Sequence, residues 1–154
     1  MSNCQRLPSR TVYFLQAIVF FCLGGLLFAC LGKAGKPESV KFQQYYVQGE
    51  QLYLKNCSNC HQKSGEGLGL LYPPVSKSDY MDANIEKVFC LMKYGINEKI
   101  MVNGREYNKA MPGVPALTEL EIAEIATYIY NTWQHNKGLI ETSEVQKAIE
   151  ACNQ

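Results

Sequence analysis

Cys57-Ser58-Asn59-Cys60-His61 constrains this chain more than any other five residues in it. Two thiols three positions apart share one turn of chain, and an imidazole follows at once. That spacing lets both sulfurs add to the two vinyl groups of one porphyrin and sets the imidazole to ligate the iron from the near side. Two rival chemistries use the same cysteine spacing. A thioredoxin-like dithiol follows a strand in a βαβ pattern, which this sequence lacks. A structural zinc site wants a second ligand pair, and the other histidine, His135, does not supply one. The expectation is therefore one covalent haem c, attached at Cys57 and Cys60 and ligated by His61.

The amino terminus has a different character. Arg6 and Arg10 precede Thr11–Gly32, which carries no charge and is rich in Phe, Leu, Val and Ile. A basic start followed by an apolar stretch reads as an export signal or a single membrane anchor. A water-soluble core helix would keep a polar face, and Gly24-Gly25 would weaken it. Export agrees with the haem motif, because c-type maturation takes place outside the cytoplasm. Leu27-Phe28-Ala29-Cys30 is similar to the lipobox of bacterial lipoproteins, with Phe28 where a small residue is usual. Acylation at Cys30 and an uncleaved anchor are the two readings. Both tether the domain to the membrane on the periplasmic side, with the arginines inside. Removal of residues 1–29 takes two arginines and no acids, moving the net charge from +1 to −1. A chain this near neutrality gives no electrostatic argument for nucleic acid.

Residues 1–32 thus read as signal or anchor and residues 33–39, with Gly and Pro, as a tether. Residues 40–137 read as one domain and residues 138–154 as an extension packed on it. Apolar positions at Phe42, Tyr45, Tyr46, Gly49 and Tyr53 predict a helix over 40–56, capped by Ser39. Gly49 within that stripe implies the close approach of another helix. Cys57–Pro74, with Gly65, Gly67 and Gly69, reads as a loop. Asn84–Tyr94 reads as a second helix stopped by Gly95. Asn103-Gly104 within Met101–Tyr107 predicts a small hairpin. Thr118 and Glu121 form a capping box, with Leu117 and Ile122 as a hydrophobic staple. Ile122, Ile125, Ile129 and Trp133 should share one face of that helix, ended by Gly138. Val145, Ala148, Ile149 and Cys152 mark a short tail helix. The fold class is all-α.

An iron held by His61 has a second axial position. Met92 falls on a helix stripe and reads as packing, and Met81 lies too near the proximal loop. Met101 in the hairpin competes with Met111, which stands in the irregular Lys109-Ala110-Met111-Pro112. Such a loop can carry a long thioether over the haem, and Pro112 stiffens it, so Met111 is favoured. His135 could give bis-His ligation but is expected to face solvent.

With these parts, Tyr45 to Trp133 resembles a class I monohaem cytochrome c. The resemblance implies that the first and last helices of the domain cross at Gly49 and Tyr128. It also implies that a loop carbonyl near Pro73 accepts a hydrogen bond from Nδ1–H of His61. Cys90 lies off the apolar stripe of its helix and could meet the tail, so a Cys90–Cys152 disulfide is expected.

The function implied is single-electron transfer between a dehydrogenase or cytochrome complex and an oxidase or reductase. No paired carboxylates, nucleophile triad or phosphate loop argue for an enzyme. Two alternatives remain open. One is a haem enzyme or gas sensor with an open distal site, and the other a dedicated cytochrome subunit of a larger oxidoreductase complex.

Overall fold

A computed structural model describes residues 39–152. In chain order the elements are α1 (Val40–Asn56), α2 (Ser58–His61), α3 (Asp79–Ala83), α4 (Ile85–Tyr94), β1 (Gly95–Ile96), β2 (Ile100–Val102), β3 (Arg105–Tyr107), β4 (Met111–Pro112), α5 (Glu119–Ile129) and α6 (Thr142–Cys152). Ser39 starts α1, its hydroxyl accepting from the Phe42 amide at 3.1 Å. The cap satisfies one of the amides that a helix start leaves unpaired.

The largest helix contact is α1 on α5. It is close because Gly49 has no side chain: a β-carbon there would overlap the Glu124 carbonyl and sit 3.0 Å from Tyr128 Cβ. The crossing at Gly49 and Tyr128 is present. Tyr53, Tyr128 and Trp133 close one end of it, with ring centroids 5.5 to 5.7 Å apart.

α5 begins on its capping box. Thr118 Oγ1 accepts from the Glu121 amide at 3.2 Å, and Glu121 Oε2 accepts from the Thr118 amide at 2.8 Å. Leu117 and Ile122 are both buried beside it. The helix ends at Ile129, earlier than its apolar pattern predicts. Asn131 Nδ2 donates to the carbonyls of Thr127 and Gly138, and Asn131 Oδ1 accepts from the Gly138 amide. A side chain that bonds the backbone in this way competes with helix propagation. Trp133 therefore leaves the helical face assigned to it and lies in a turn, with φ 52° and Gln134 at 83°.

The all-α expectation holds for the helices and misses some strand. The Asn103-Gly104 hairpin is formed by β2 and β3, with both turn residues at positive φ (51° and 73°) as a two-residue turn of this kind requires. β1 and β4 form a second antiparallel pair, joining Gly95 to Pro112 and Ile96 to Met111. Two-residue strands carry no period, so nothing local announces them. The stretch Cys57–Pro74 is not wholly loop either. Its first residues make the one-turn α2, with Cys60 and His61 amides both donating to the Cys57 carbonyl.

α6 packs on α4 and α5 through Val145, Ala148 and Ile149. Cys90 of α4 and Cys152 of α6 are joined in a disulfide with their Cα atoms 6.1 Å apart. Thr11–Gly32 and Cys30 lie outside the described residues. Among the described residues no helix is long and apolar enough to cross a membrane.

Candidate haem site

Two adjoining cavities, one larger than the other and both partly open to solvent, lie between the proximal loop, α4, the hairpin and α5. Cys57 lines the larger cavity and Cys60 the smaller, while His61 and Met111 line both. The rest of the larger lining is chiefly apolar, including Val88, Leu91, Met92, Val102, Ile125 and Ile129. The sequence stripes identified several of these as core, without indicating that they face a shared cavity.

His61 is buried at the end of α2. Its Nδ1 lies 3.0 Å from the Pro73 carbonyl oxygen. A carbonyl can only accept, so this bond puts the ring proton on Nδ1. Nε2 has no hydrogen-bond partner among the described residues. Burial holds the His61 pKa below its ordinary value, an effect the Pro73 bond partly offsets, so the neutral ring is favoured. A neutral imidazole with one nitrogen oriented and the other free is the form a metal takes.

The loop bearing Pro73 is closed by its own backbone. The Gly67 amide donates to the His61 carbonyl at 3.0 Å, and the Val75 and Ser76 amides donate to the Gly65 carbonyl at 2.8 and 2.9 Å. Gly67 permits this closure, because at φ +68° a β-carbon would overlap the Tyr72 and Pro73 carbonyls. Tyr53 anchors the start of the loop, its hydroxyl donating to the Gln62 carbonyl at 2.6 Å.

The two cysteines are free and half-buried. Burial pushes the Cys57 thiol up to about 12, with the nearby Cys60 adding to the shift. A dithiol exchanger needs the opposite, a thiolate stabilised near neutrality. Haem fits these residues better: two thiols at one rim, an oriented imidazole with a free nitrogen, and an apolar lining. Tyr80 also lines the larger cavity, and its hydroxyl is the one buried side-chain polar atom without a partner among the described residues. The sequence pattern did not single it out.

The methionines separate clearly. Met101 is 56% exposed and lines neither cavity. Met81 and Met92 are buried and line the larger one only. Met111 is held at the cavities by the pairing of β4 with β1. His135 overturns its expected place. It does not face solvent but is buried, with Nδ1 at 3.0 Å from Asp82 Oδ1 and Nε2 at 3.2 Å from the Val75 carbonyl oxygen. It lines neither cavity, because the turn after α5 brings it against Asp82 and Val75 instead. The Cys90–Cys152 bridge also lies away from both cavities.

Residues 46–129 match the family described as "Cytochrome C oxidase, cbb3-type, subunit III". The chain is 29% identical over 91 residues to a cytochrome c-552 of Thermus thermophilus, covering 56% of this chain and 69% of that protein. A second cytochrome c-552 of that species matches at the same identity, with 61% of its length covered. The cytochrome c subunit of a quinone alcohol dehydrogenase from Gluconobacter oxydans is 27% identical over 103 residues. That match covers 64% of this chain and 21% of the subunit.

Proposed function

The chain belongs to this cytochrome c family, which carries covalent haem c, and from that premise we propose a one-electron carrier whose single iron is bound between His61 and Met111. The observation that carries the proposal is at His61: Nδ1 tied to the Pro73 carbonyl and Nε2 without a hydrogen-bond partner among the described residues, on the turn that bears both free thiols. When bound, haem supplies an iron that exchanges a single electron between ferric and ferrous states. Cys57 and Cys60 would hold it by thioether bonds. His61 would ligate through Nε2, its ring orientation and basicity set by Pro73. Met111 would take the opposite side, and a thioether paired with imidazole raises the reduction potential relative to two imidazoles. The chiefly apolar lining would limit the reorganisation that accompanies a change of charge.

Met111→Ala tests the assignment. In the oxidised variant the sulfur-to-iron charge-transfer band should vanish, the potential should fall, and the reduced form should bind carbon monoxide quickly. A variant that keeps the band has its sulfur ligand elsewhere. Rapid carbon monoxide binding by the unaltered protein would instead support the open-site reading.

A second reading, a dedicated cytochrome subunit within a larger oxidoreductase, is supported by the family description and by the dehydrogenase subunit among the relatives. Purification in mild detergent distinguishes the two, since a dedicated subunit leaves the column at a fixed ratio to one partner. The N-terminal segment supports a location outside the cytoplasm, tethered by the apolar stretch or through a lipid on Cys30.

A further inference from the structure

We infer that the turn Trp133–His135 is a clasp on the proximal loop, with His135 a positioning residue that makes the reduction potential sensitive to pH. The inference rests on the proposal that His61 ligates the iron. The clasp has two arms. Trp133 lies over Gly65, where a β-carbon would come within 2.9 Å of its ring. His135 reaches the other end of the loop, its Nε2 facing the Val75 carbonyl oxygen at 3.2 Å. Between those ends the chain closes on itself through the Gly65 carbonyl, and Pro73, two residues before Val75, offers its own carbonyl to His61. One turn therefore fixes both ends of the segment that orients the axial histidine.

The turn is also strained. Trp133 and Gln134 are consecutive residues with side chains in the left-handed region, at φ 52° and 83°. Such conformations persist only where their surroundings over-determine them, and they concentrate at functional positions. Here Asn131 and Gly138 hold the ends of the turn, and the Lys137 amide donates to the Tyr130 carbonyl at 3.1 Å.

His135 adds the proton dependence. Its side chain is 3% exposed and both ring nitrogens face acceptors, the Asp82 carboxylate and the Val75 carbonyl. Both bonds form together only with a proton on each nitrogen. A neutral ring keeps one of them, and the charged acceptor makes the stronger bond, so Asp82 retains it and Val75 is released. The groups facing His135 are Asp82 of α3 and the Tyr130 ring, 5.9 Å away at the end of α5. Lys77, Asp79, Asn103 and Gln134 border the same surface depression as Asp82 and His135. Release of Val75 loosens the Pro73 carbonyl against His61 Nδ1, and a change in that bond changes the basicity of the ligand and the potential of the iron.

The experiment is a titration of the haem-loaded protein from pH 5 to 9, following the reduction potential and, in the reduced form, the His61 Nδ1–H proton resonance. The expected result is a step in the potential accompanied by a shift of that resonance at the same pH. His135→Gln retains an N–H donor without a titrating ring, so both steps should be lost while the protein stays folded. His135→Phe removes both bonds and should displace the potential across the whole range. Identical profiles in the unaltered protein and His135→Gln would overturn the clasp, as would a potential step with the His61 resonance unmoved. A chain that acquires no covalent haem overturns the electron-carrier proposal as well, whereas a normal haem spectrum with indifference to His135 overturns the clasp alone.

Discussion

Gly49 is where the packing tolerates least. Alanine is the better helix former by roughly 1 kcal/mol, yet a β-carbon there would overlap the Glu124 carbonyl. Gly49→Ala should therefore destabilise by about 1–3 kcal/mol, the usual cost of overpacking. Denaturant unfolding measures it, and an unchanged or raised midpoint would contradict the close approach of α1 and α5. At the motif, Cys57→Ala with Cys60→Ala should yield a chain that releases all its haem on denaturation in acidified organic solvent. Each single variant should retain haem through the remaining sulfur. The residue-level chemistry of Cys57, Cys60 and His61 is legible because their spacing is itself the requirement. Met111 is less so: four methionines in residues 40–137 offer the same thioether, and its Met-Pro loop favoured it in the sequence while its place at both cavities, on β4, supports it in the fold.

Among the elements, α5 illustrates what local sequence can specify. Its start is written within four residues, because the capping box needs only Thr118 and Glu121. Thr118→Ala should cost about 1 kcal/mol, measured by chemical denaturation. The cap should also respond to acid. The Thr118 amide, then its hydroxyl, hold the Glu121 carboxyl below its ordinary value of 4.5. A carboxyl depressed on folding stabilises the native state in full above that value and loses the contribution as pH falls through the lower, folded value. Glu121 is only partly buried, so solvent screens the effect to a fraction of the ~1 kcal/mol typical of a cap. The stabilities of the unaltered protein and Glu121→Gln should differ at pH 6 and converge toward pH 3. A gap that persists at pH 3 would assign the cap to something other than the charge. The end of α5 was not legible, because Asn131 bonds Gly138 seven residues on and no helical period records that contact. The β1–β4 pair escaped for the same reason.

For the molecule as a whole, the tail matters through its covalent link. The Cys90–Cys152 bridge spans 62 residues and ties α6 to α4. Chain-entropy reasoning gives such a loop about 4 kcal/mol. Cys152→Ser should lower the unfolding free energy by that order while leaving the reduced haem spectrum unaltered, since the bridge lies away from both cavities. A changed spectrum would mean that α6 supports the haem site directly. The pairing was legible as an expectation, because Cys90 stands off its helix stripe and a second unassigned cysteine lies on the tail. His135 was not, since its burial depends on a strained turn that no propensity favours.

The sequence by itself determined the chemistry that is local: thiol and imidazole spacing, helix starts and the Asn103-Gly104 turn. Each depends on residues within a few positions of one another, and backbone geometry fixes their relation. Tertiary structure decided which side chains share the cavity and where His135 goes, and it brought to His61 the Pro73 carbonyl, a contact that the family resemblance implied and no local pattern records. Those contacts join residues distant in the chain, Pro73 with His61, Val75 with His135 and Met111 with Ile96, so they come into being only when the elements pack.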